Sequence, residues 1–322
     1  MDQKAVFQTV ADDFDAVNRT IHQQLASGVP MVEKIAEHII SSGGKRMRPT
    51  LVLLSAGLTG GVASVHHELA TVIEFLHTAT LLHDDVVDVS DMRRGRPTAN
   101  ANWGNAPSVL VGDFLYARSF ELLVKIGNLS VMERLANTTR QIAEGEVMQL
   151  MNVKNPDTSE QQYMSVITGK TAILFQASAE TSAILSGCTP EQTQSLAQYG
   201  LNLGLAFQLI DDVLDYSGDS ATLGKNVGDD LAEGKPTLPL IHAMAHGTEA
   251  EVKLIRRAIR KGGLAQLPDI LEILQRTKAL AYVEAKAVEH ADRAIANLAD
   301  FPASDYQRAL TALASMAVNR ST

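Results

Sequence analysis

The stretch EFLHTATLLHDDVVD, residues 74–88, decides how this sequence is expected to fold. An apolar run ends there in a group of aspartates, and the same arrangement returns in AFQLIDDVLDY, residues 206–216. The aspartates have one spacing in both groups: Asp84, Asp85 and Asp88 in the first, Asp211, Asp212 and Asp215 in the second. Because the outer two are four residues apart, they share one helix face, where like charges repel by some tenths of a kcal/mol. A chain that accepts this cost twice needs a physical reason for it.

The sequence around both groups predicts helices. Apolar residues recur at intervals of three and four, at Leu69, Val72, Ile73 and Leu76 and again at Leu201, Leu205, Leu209 and Val213. Aromatic residues make up only 5% of the chain, which disfavours a fold based on β-sheets. No repeat of fixed period, low-complexity segment or linker interrupts the pattern. We therefore predict an all-α fold with a single domain, residues 1–322, built as a bundle of roughly ten or more helices.

Bound metal ions would explain why the chain accepts the repulsion between these aspartates. Carboxylates without nearby His or Cys ligands are hard oxygen donors, and Mg²⁺ prefers such donors. A single cluster of this kind could equally be a solvated acidic face. Two copies, each preceded by an apolar run, favour a magnesium site over that interpretation, because a surface helix would carry polar residues in those runs.

Basic residues are concentrated in two short segments of a chain whose net charge is −9. The segments are GGKRMRP, with Lys45, Arg46 and Arg48, and MRRGRP, with Arg93 and Arg94. Guanidinium and ammonium groups are natural partners of phosphate, so we predict a local anion site. His77 lies seven residues before Asp84, on nearly the same helix face, which favours a functional role for it over a place in the core.

Two further segments bear on the site. The sequence TGKT, residues 168–171, resembles the end of a phosphate-binding P-loop, but Met164 stands where that motif needs its first glycine and no strand pattern precedes it. A P-loop is therefore rejected, although Lys170 is still a candidate donor to an anion at a helix break. The polar, glycine-rich stretch 217–235 is long for a connection and is predicted to be a lid.

Composition disfavours several other classes of protein. The acidic balance argues against general nucleic-acid binding, which relies on a basic surface. No segment has about 18 consecutive apolar residues, so we expect no membrane span. The N-terminus lacks the basic flank and apolar run of a signal peptide, and the single cysteine, Cys188, cannot form an internal disulfide. We expect a soluble, cytoplasmic protein.

A series of motifs in order carries a resemblance to a known family: GGKRMRP, EFLHTATLLHDDVVD, MRRGRPT, VGDFL, GKTA, AFQLIDDVLDY and GKNVGDDLAEGKPTLP. The chain resembles the long-chain trans-isoprenyl diphosphate synthases from Gly43 to Pro239, and more weakly as far as the C-terminal AVNR. Class I terpene cyclases share the first aspartate cluster but carry a different pattern at the second. The sequence DDVLD there favours chain elongation.

The resemblance implies a helical bundle around a central cavity, the isoprenoid synthase fold, and a set of site residues. Both aspartate clusters would act in catalysis, together with Arg93, Lys170 and Lys225. Three Mg²⁺ ions would be bound chiefly by Asp84, Asp88 and Asp211, with Asp85, Asp212 and Asp215 in supporting positions. The allylic diphosphate would be held by Arg93, Lys170, Thr171, Gln208, Lys225 and Lys235. Isopentenyl diphosphate would be held by Lys45, Arg48, His77 and Arg94, with Arg46 nearby.

The resemblance also implies a reaction through an allylic carbocation. Magnesium and the basic residues would stabilise the negative charge on the departing diphosphate. That diphosphate would then take the final proton, so no protein nucleophile is expected. A homodimer, and a product used as the side chain of a respiratory quinone, are further implications.

Product length is expected to depend on the room beneath the first cluster. Thr80 lies about 6 Å along the helix from Asp84, with Ala79 beside it. Small side chains there leave a tunnel open, whereas short-chain relatives carry bulky aromatic residues. Together with the resemblance, this favours an octaprenyl product made from an allylic primer, expected to be farnesyl diphosphate. Candidates for the tunnel floor are Phe114, Phe120 and Met148.

Several alternatives stay open at this point. The product could be solanesyl or decaprenyl diphosphate, or, with less support, geranylgeranyl diphosphate or a cyclic terpene. A noncatalytic subunit that binds an active synthase is a different class of protein. Such subunits tend to lose aspartates of the clusters, and both clusters are complete here.

Overall fold

The computed structural model describes residues 1–217, 227–262 and 264–319, and most of these are helical. The predicted all-α class and the expected number of helices are confirmed. In chain order the helices are α1 (Gln3–Gln8), α2 (Ala11–Gln24), α3 (Pro30–Ser41), α4 (Met47–Leu58), α5 (Ser64–Val87), α6 (Ala99–Trp103), α7 (Asn105–Ile126), α8 (Leu129–Asn152), α9 (Glu160–Ile167), α10 (Ile173–Leu185), α11 (Pro190–Ser217), α12 (Asp229–Ala232), α13 (Leu238–His246), α14 (Glu249–Lys261), α15 (Leu267–Arg276), α16 (Ala279–Ala296) and α17 (Asp305–Val318). No helix in the described ranges is both long and apolar enough to cross a bilayer.

The chain divides into two compact units, each described here by itself. The first comprises Met1–Thr139, Leu174–Gly200 and Asn297–Leu313, and the second comprises Arg140–Ile173, Leu201–Ala296 and Ala314–Thr322. The predicted single domain with a central cavity stays a prediction.

Helix α5 forms the core of the first unit, where it packs against α2, α4 and α7. Several of its large apolar side chains, including Phe75, Leu76 and Leu82, have no exposed surface. Full burial of such a side chain stabilises the fold by about 1.5–3 kcal/mol, which fixes the helix firmly. The acids Glu74 and Asp85 are also buried in this helix, and buried carboxylates need partners.

A short β-hairpin, which the predicted all-α fold did not include, follows α5. Its strands are β1 (Met92–Arg93) and β2 (Arg96–Pro97), which pair antiparallel. Arg94 and Gly95 form the turn, with φ angles of 52° and 72°. Two consecutive left-handed residues are what a tight hairpin turn requires, so this turn fixes the directions of Arg93 and Arg94.

The second unit has the C-terminal half of α11 in one of its cores. Leu205, Leu209 and Val213 are buried there with residues of α9 and α16, so the helical face predicted from their spacing is confirmed. Between α9 and α10 lies a π-helical turn, Thr168–Ala172. The helix break predicted at this position is therefore wrong, because the helix forms one wider π-helical turn here and then continues as α10.

Candidate active site

Both aspartate clusters lie at the C-terminal ends of long helices. Asp84 and Asp85 are in the last turn of α5 and Asp88 is its C-cap, while the second cluster occupies the last two turns of α11. The C-terminus of a helix carries the negative end of its dipole, which disfavours carboxylates by about 0.3–1 kcal/mol each. Both clusters therefore stand where a cation is favoured, which fits a bound metal ion.

In the first cluster the middle aspartate is buried and paired. Asp85 has no exposed surface, whereas Asp84 and Asp88 are partly exposed. Arg93 donates to both oxygens of Asp85, from Nη2 to Oδ1 at 2.7 Å and from Nε to Oδ2 at 3.1 Å. Bidentate pairs of this type are the strongest ion pairs in proteins. Arg93, predicted to hold the allylic diphosphate, is thus bound to Asp85 in this structure.

The predicted anion site of the first unit is a group of arginines around His77. Arg48 Nη1 lies 3.2 Å from His77 Nε2, and its guanidinium stacks 4.3 Å from the ring centre of Phe175. Burial lowers the pKa of Arg48 to about 10 and lowers the pKa of His77 well below its usual value. The charges of Arg48, Arg94, Arg93 and Arg46 lower the His77 pKa further, so the imidazole is neutral at physiological pH.

This group carries more positive charge than its acids offset. Arg46 pairs with the buried Glu74 at 2.9 Å, and Arg94 donates to the Gly43 carbonyl. The Arg48 Nε is a buried donor with no hydrogen-bond partner among the described residues. Unpaired buried donors are costly, and a bound anion would satisfy this one. Lys45, the remaining basic residue of the segment, is exposed.

In the second cluster the middle aspartate is again buried, but its partners are neutral. Tyr163 donates from its hydroxyl to Asp212 Oδ2 at 2.5 Å, and Gln208 donates from Nε2 to Oδ1 at 2.8 Å. Gln208 in turn accepts from the Thr171 hydroxyl at 3.0 Å. The structure thus brings Thr171, Gln208 and Asp212 into one hydrogen-bonded chain.

The surroundings of Asp212 contain excess negative charge. Burial, with the charges of Asp230 and Asp211, raises the pKa of Asp212 to about 8 against the opposing hydrogen bonds from Tyr163 and Gln208. The backbone N–H of Asp230 donates to Asp215 Oδ2 at 3.3 Å, which brings this fourth acid beside the cluster. A divalent cation is the type of ligand that such an arrangement favours.

The basic residues predicted for the second unit are partly accounted for. Lys170 lies in the π turn and pairs with Glu146 at 2.8 Å. A Cβ on Gly145 would lie 2.6 Å from the Lys170 backbone N, so only glycine allows α8 to approach this turn. Lys235 pairs with Glu233. Lys225 and residues 218–226 of the predicted lid lie outside the described residues.

The predicted tunnel residues lie on α5. Ala79 has no exposed surface, and the Thr80 hydroxyl donates to the His77 carbonyl at 2.8 Å. Of the floor candidates, Phe114 and Phe120 are half-buried on α7, while Met148 is 37% exposed on α8. Their roles in product length stay predictions.

Sequence reasoning missed four residues that support the site: Glu74, Glu146, Tyr163 and Asp230. Glu74 carried a signal, because a lone acid inside an apolar run indicates a buried ion pair. Asp230 also carried one, since it belongs to the polar GKNVGDD segment. Tyr163 and Glu146 carried none, because helical spacing alone does not tell which aromatic or acidic side chain meets which partner.

Among the described residues, no three His, Cys, Asp or Glu side chains are grouped closely enough to hold a metal ion by themselves. The clusters supply one or two carboxylates at a time. Mg²⁺ commonly binds in this way and takes its other ligands from water and substrate phosphates.

Comparison with known proteins defines the class. The model of the polyprenyl synthetase family matches residues 29–274, so the chain belongs to that family, and the predicted class of enzyme, a prenyltransferase, is confirmed. The chain is 51% identical to the octaprenyl diphosphate synthase of Escherichia coli (strain K12) over 321 residues, 99% of each protein. It is 48% identical over 316 residues to the all-trans-nonaprenyl-diphosphate synthase (geranyl-diphosphate specific) of Rhodobacter capsulatus, covering 98% of this chain and 97% of that one.

A solved structure agrees with these relatives. The polyprenyl synthase from Caulobacter crescentus, complexed with calcium and isoprenyl diphosphate, is 45% identical to this chain. It superposes with a TM-score of 0.96 and is matched over 100% of this chain and 98% of that one.

Proposed function

We propose that this chain is a magnesium-dependent octaprenyl diphosphate synthase. The observation that carries the proposal is the 51% identity to an octaprenyl diphosphate synthase along 99% of both chains. The allylic primer is farnesyl diphosphate, and each cycle adds one isopentenyl diphosphate. The quinone that would receive the product stays a prediction.

The two groups of basic residues divide the substrates. Lys45, Arg48, His77 and Arg94, with Arg46 nearby, bind isopentenyl diphosphate. In support, Arg48 has a buried unpaired donor, and neutral His77 can donate one hydrogen bond without adding charge. Arg93, Lys170, Thr171, Gln208, Lys225 and Lys235 bind the allylic diphosphate. The ion pairs of Arg93 and Lys170 hold both side chains in position until a phosphate competes for them.

The outer aspartates of each cluster are the principal metal ligands. Asp84, Asp88, Asp211 and Asp215 are partly exposed, whereas Asp85 and Asp212 are buried and already accept hydrogen bonds. Each oxygen of Asp212 keeps a second lone pair, so Asp212 can also bind an ion. We propose three Mg²⁺ ions, whose positive charge neutralises the diphosphate oxygens when bound.

The reaction needs no protein nucleophile. The bond between the allylic carbon and the diphosphate oxygen breaks, and the electron pair leaves with the diphosphate. The double bond of isopentenyl diphosphate then attacks the allylic cation, and the released diphosphate takes the proton lost from the new chain. Arginine and lysine side chains bind the growing negative charge, and exclusion of water protects the cation.

The direct test is product sizing. The protein is incubated with farnesyl diphosphate and radiolabelled isopentenyl diphosphate, with Mg²⁺ or with EDTA, and the dephosphorylated products are separated by length. We expect an octaprenyl product only with Mg²⁺. A nonaprenyl product would favour the second candidate, which the 48% identity to a nonaprenyl synthase supports. Geranylgeranyl or cyclic products, or none, would contradict the proposal.

The tunnel assignment has its own test. Ala79→Tyr fills space beneath the first cluster, so we expect a shorter product with turnover retained. Overpacking a buried site costs about 1–3 kcal/mol, so thermal unfolding is measured in parallel. Ala79→Ser is the matched control and should keep the original length. An unchanged length in a folded Ala79→Tyr protein would contradict the tunnel assignment.

We also propose a homodimer. Exposed apolar side chains in the first unit include Leu110 and Val124 on α7, 65% and 68% exposed, and Leu129 on α8, 78% exposed. A second copy of the chain would cover them. Sedimentation equilibrium should give twice the chain mass, and Leu110→Asp with Val124→Asp should give monomers, whereas Val288→Asp on α16 should not. The cytoplasmic location stays a prediction.

A further inference from the structure

Helix α14, in the second unit, has two faces of opposite character. A Thr248–Glu251 capping box begins the helix, and Ile255, Ala258 and Ile259 are buried along its inner face. Its outer face carries five cations within nine residues, out of 28 in the whole chain: Lys253, Arg256, Arg257, Arg260 and Lys261. These five side chains line an open cleft of about 340 Å³. In a chain of net charge −9, this is a local concentration of positive charge.

The nearby acids do not neutralise this face. Lys253 pairs with Glu249 at 2.6 Å, and Arg256 pairs with Asp157 at 2.6 Å. Glu251, the other acid of the helix, is occupied by Arg276, whose Nε lies 2.7 Å away. In the part of the chain that the structure describes, Arg257, Arg260 and Lys261 have no ion pair, and all three are exposed.

A fourth cation and an apolar side chain adjoin these three. Lys154, exposed and without an ion pair among the described residues, reaches the end of α14, because a Cβ on Gly262 would lie 3.8 Å from its Cε. Leu264, just beyond that end, is 42% exposed. It lies against Gly228, since a Cβ on Gly228 would be 3.2 Å from the Leu264 Cδ2. We call Lys154, Arg257, Arg260 and Lys261 the α14 patch.

We propose that the α14 patch docks this protein on the surface of an anionic lipid bilayer. Unpaired cations beside an exposed leucine complement a surface of phosphate headgroups over an apolar layer. One part of the argument rests on the proposed function, since a long prenyl chain with a diphosphate head is poorly soluble in water and enters a bilayer on release. A nucleic acid is a less suitable partner, because the patch itself contains no aromatic side chain on which a base could stack.

The acidic charge on the rest of the molecule does not prevent docking. At physiological salt, charges are screened beyond about 8 Å, so the groups in contact with the headgroups decide the interaction. Docking by four cations and one leucine should be reversible and should weaken steeply as salt is raised.

The test uses the full chain and needs no substrate. Sedimentation is measured with large vesicles of phosphatidylcholine and phosphatidylglycerol in equal parts, and with vesicles of phosphatidylcholine alone. We expect binding only to the anionic vesicles, reversed by high salt. Removing three cations in Arg257→Gln/Arg260→Gln/Lys261→Gln should lower the partition coefficient about a hundredfold. The matched control, Arg19→Gln/Arg293→Gln/Arg308→Gln, makes the same change in net charge on exposed side chains elsewhere and should bind as the wild type does.

Other outcomes would overturn the proposal. Equal binding by both triple variants, equal binding to the neutral vesicles, or no binding of the wild type would each contradict it. Binding to soluble polyphosphate but not to vesicles would assign the patch to a different partner. Prenyl transfer assayed in detergent should be unchanged in both triple variants. Loss of transfer in the wild type with vesicle binding intact would count against the proposed function and not against the docking surface.

Discussion

The two aspartate clusters have the same spacing and the same place at a helix end, but opposite surroundings. In the first, the buried Asp85 is held by the guanidinium of Arg93. In the second, the buried Asp212 is held by the neutral Tyr163 and Gln208. Among the described residues, the buried aspartate of the first cluster therefore has a charged partner, and that of the second has neutral hydrogen-bond partners. We therefore expect Asp212 to depend more strongly on an added cation than Asp85 does.

The pKa values of nearby groups reflect the same difference. Burial and four arginines lower the pKa of His77, in the first unit. Burial and neighbouring acids raise the pKa of Asp212, in the second. The aspartate motif is repeated, but its electrostatic surroundings differ: arginines lie near the first cluster, and further carboxylates lie near the second.

Removing an outer aspartate is expected to have the largest effect, a loss of turnover. Asp84→Ala and Asp211→Ala should each lower turnover about a thousandfold, because each removes a metal ligand that stabilises the departing charge. Circular dichroism should show an intact fold, since removing a carboxylate from a helix C-terminus relieves repulsion with the dipole. Asp15→Ala, an exposed change on α2, is the control. Retained turnover of either variant at saturating Mg²⁺ would contradict its role as a ligand.

The second effect is on stability without metal. Arg93→Gln leaves Asp85 buried without a counter-charge, which should cost about 3 kcal/mol in the free energy of unfolding. Urea unfolding in EDTA measures it. The double variant Arg93→Gln/Asp85→Asn should recover much of the loss, because the unpaired charge is then absent. If the single and double variants were equally unstable, the ion pair would not be the cause.

The third effect concerns the positioning of Asp212. Tyr163→Phe removes one of its two hydrogen bonds, and changes of this type weaken metal binding by about tenfold or more. The Mg²⁺ concentration for half-maximal activity should rise about tenfold, with turnover recovered at saturating Mg²⁺. Tyr282→Phe is the matched control, because its hydroxyl donates to Glu160 at 3.0 Å. An unchanged Mg²⁺ requirement in Tyr163→Phe would rule out this positioning role.

The smallest effect is a pair of opposite pH dependences in EDTA. The folded pKa of His77 is depressed, so its unfolded form binds more protons and stability falls as pH falls below about 6.5. The folded pKa of Asp212 is raised from 3.8 to about 8, so the folded form binds more protons and stability falls as pH rises through that window.

Each slope approaches about 1 kcal/mol per pH unit, and urea titrations at several pH values measure both. His77→Gln should remove the loss on the acid side, and Asp212→Asn should remove the loss on the alkaline side. Identical pH profiles for the wild type and both variants would mean that neither buried group is shifted as described.

The helices and the outer aspartates could be predicted because periodicity and repeated spacing are local properties of the chain. The apolar run before Asp84 determines the burial of α5, and the charges of Asp84 and Asp88 favour partly exposed positions at its end. The partners of the buried aspartates could not be predicted, because they come from other elements. Arg93 reaches Asp85 through a hairpin turn with two left-handed residues, and Tyr163 reaches Asp212 from a separate helix.

The π turn at Thr168–Ala172 shows a second limit. The sequence around Lys170 predicts a helix break, whereas in the structure Gly145 and Gly169 allow two backbones to approach closely. Glycine has both uses, and only the position of the opposite helix distinguishes them. The same limit applies to the tunnel, since small residues in a helix indicate close packing or open space equally well.

We propose that each aspartate cluster binds metal ions beside a diphosphate group. This proposal is tested most directly by anomalous diffraction from crystals grown with Mn²⁺ and an unreactive thiodiphosphate analogue of farnesyl diphosphate. We expect anomalous peaks beside Asp84 and Asp88 and beside Asp211, each shared with diphosphate oxygens. Peaks at only one cluster, or a diphosphate bound without metal at either, would contradict the account.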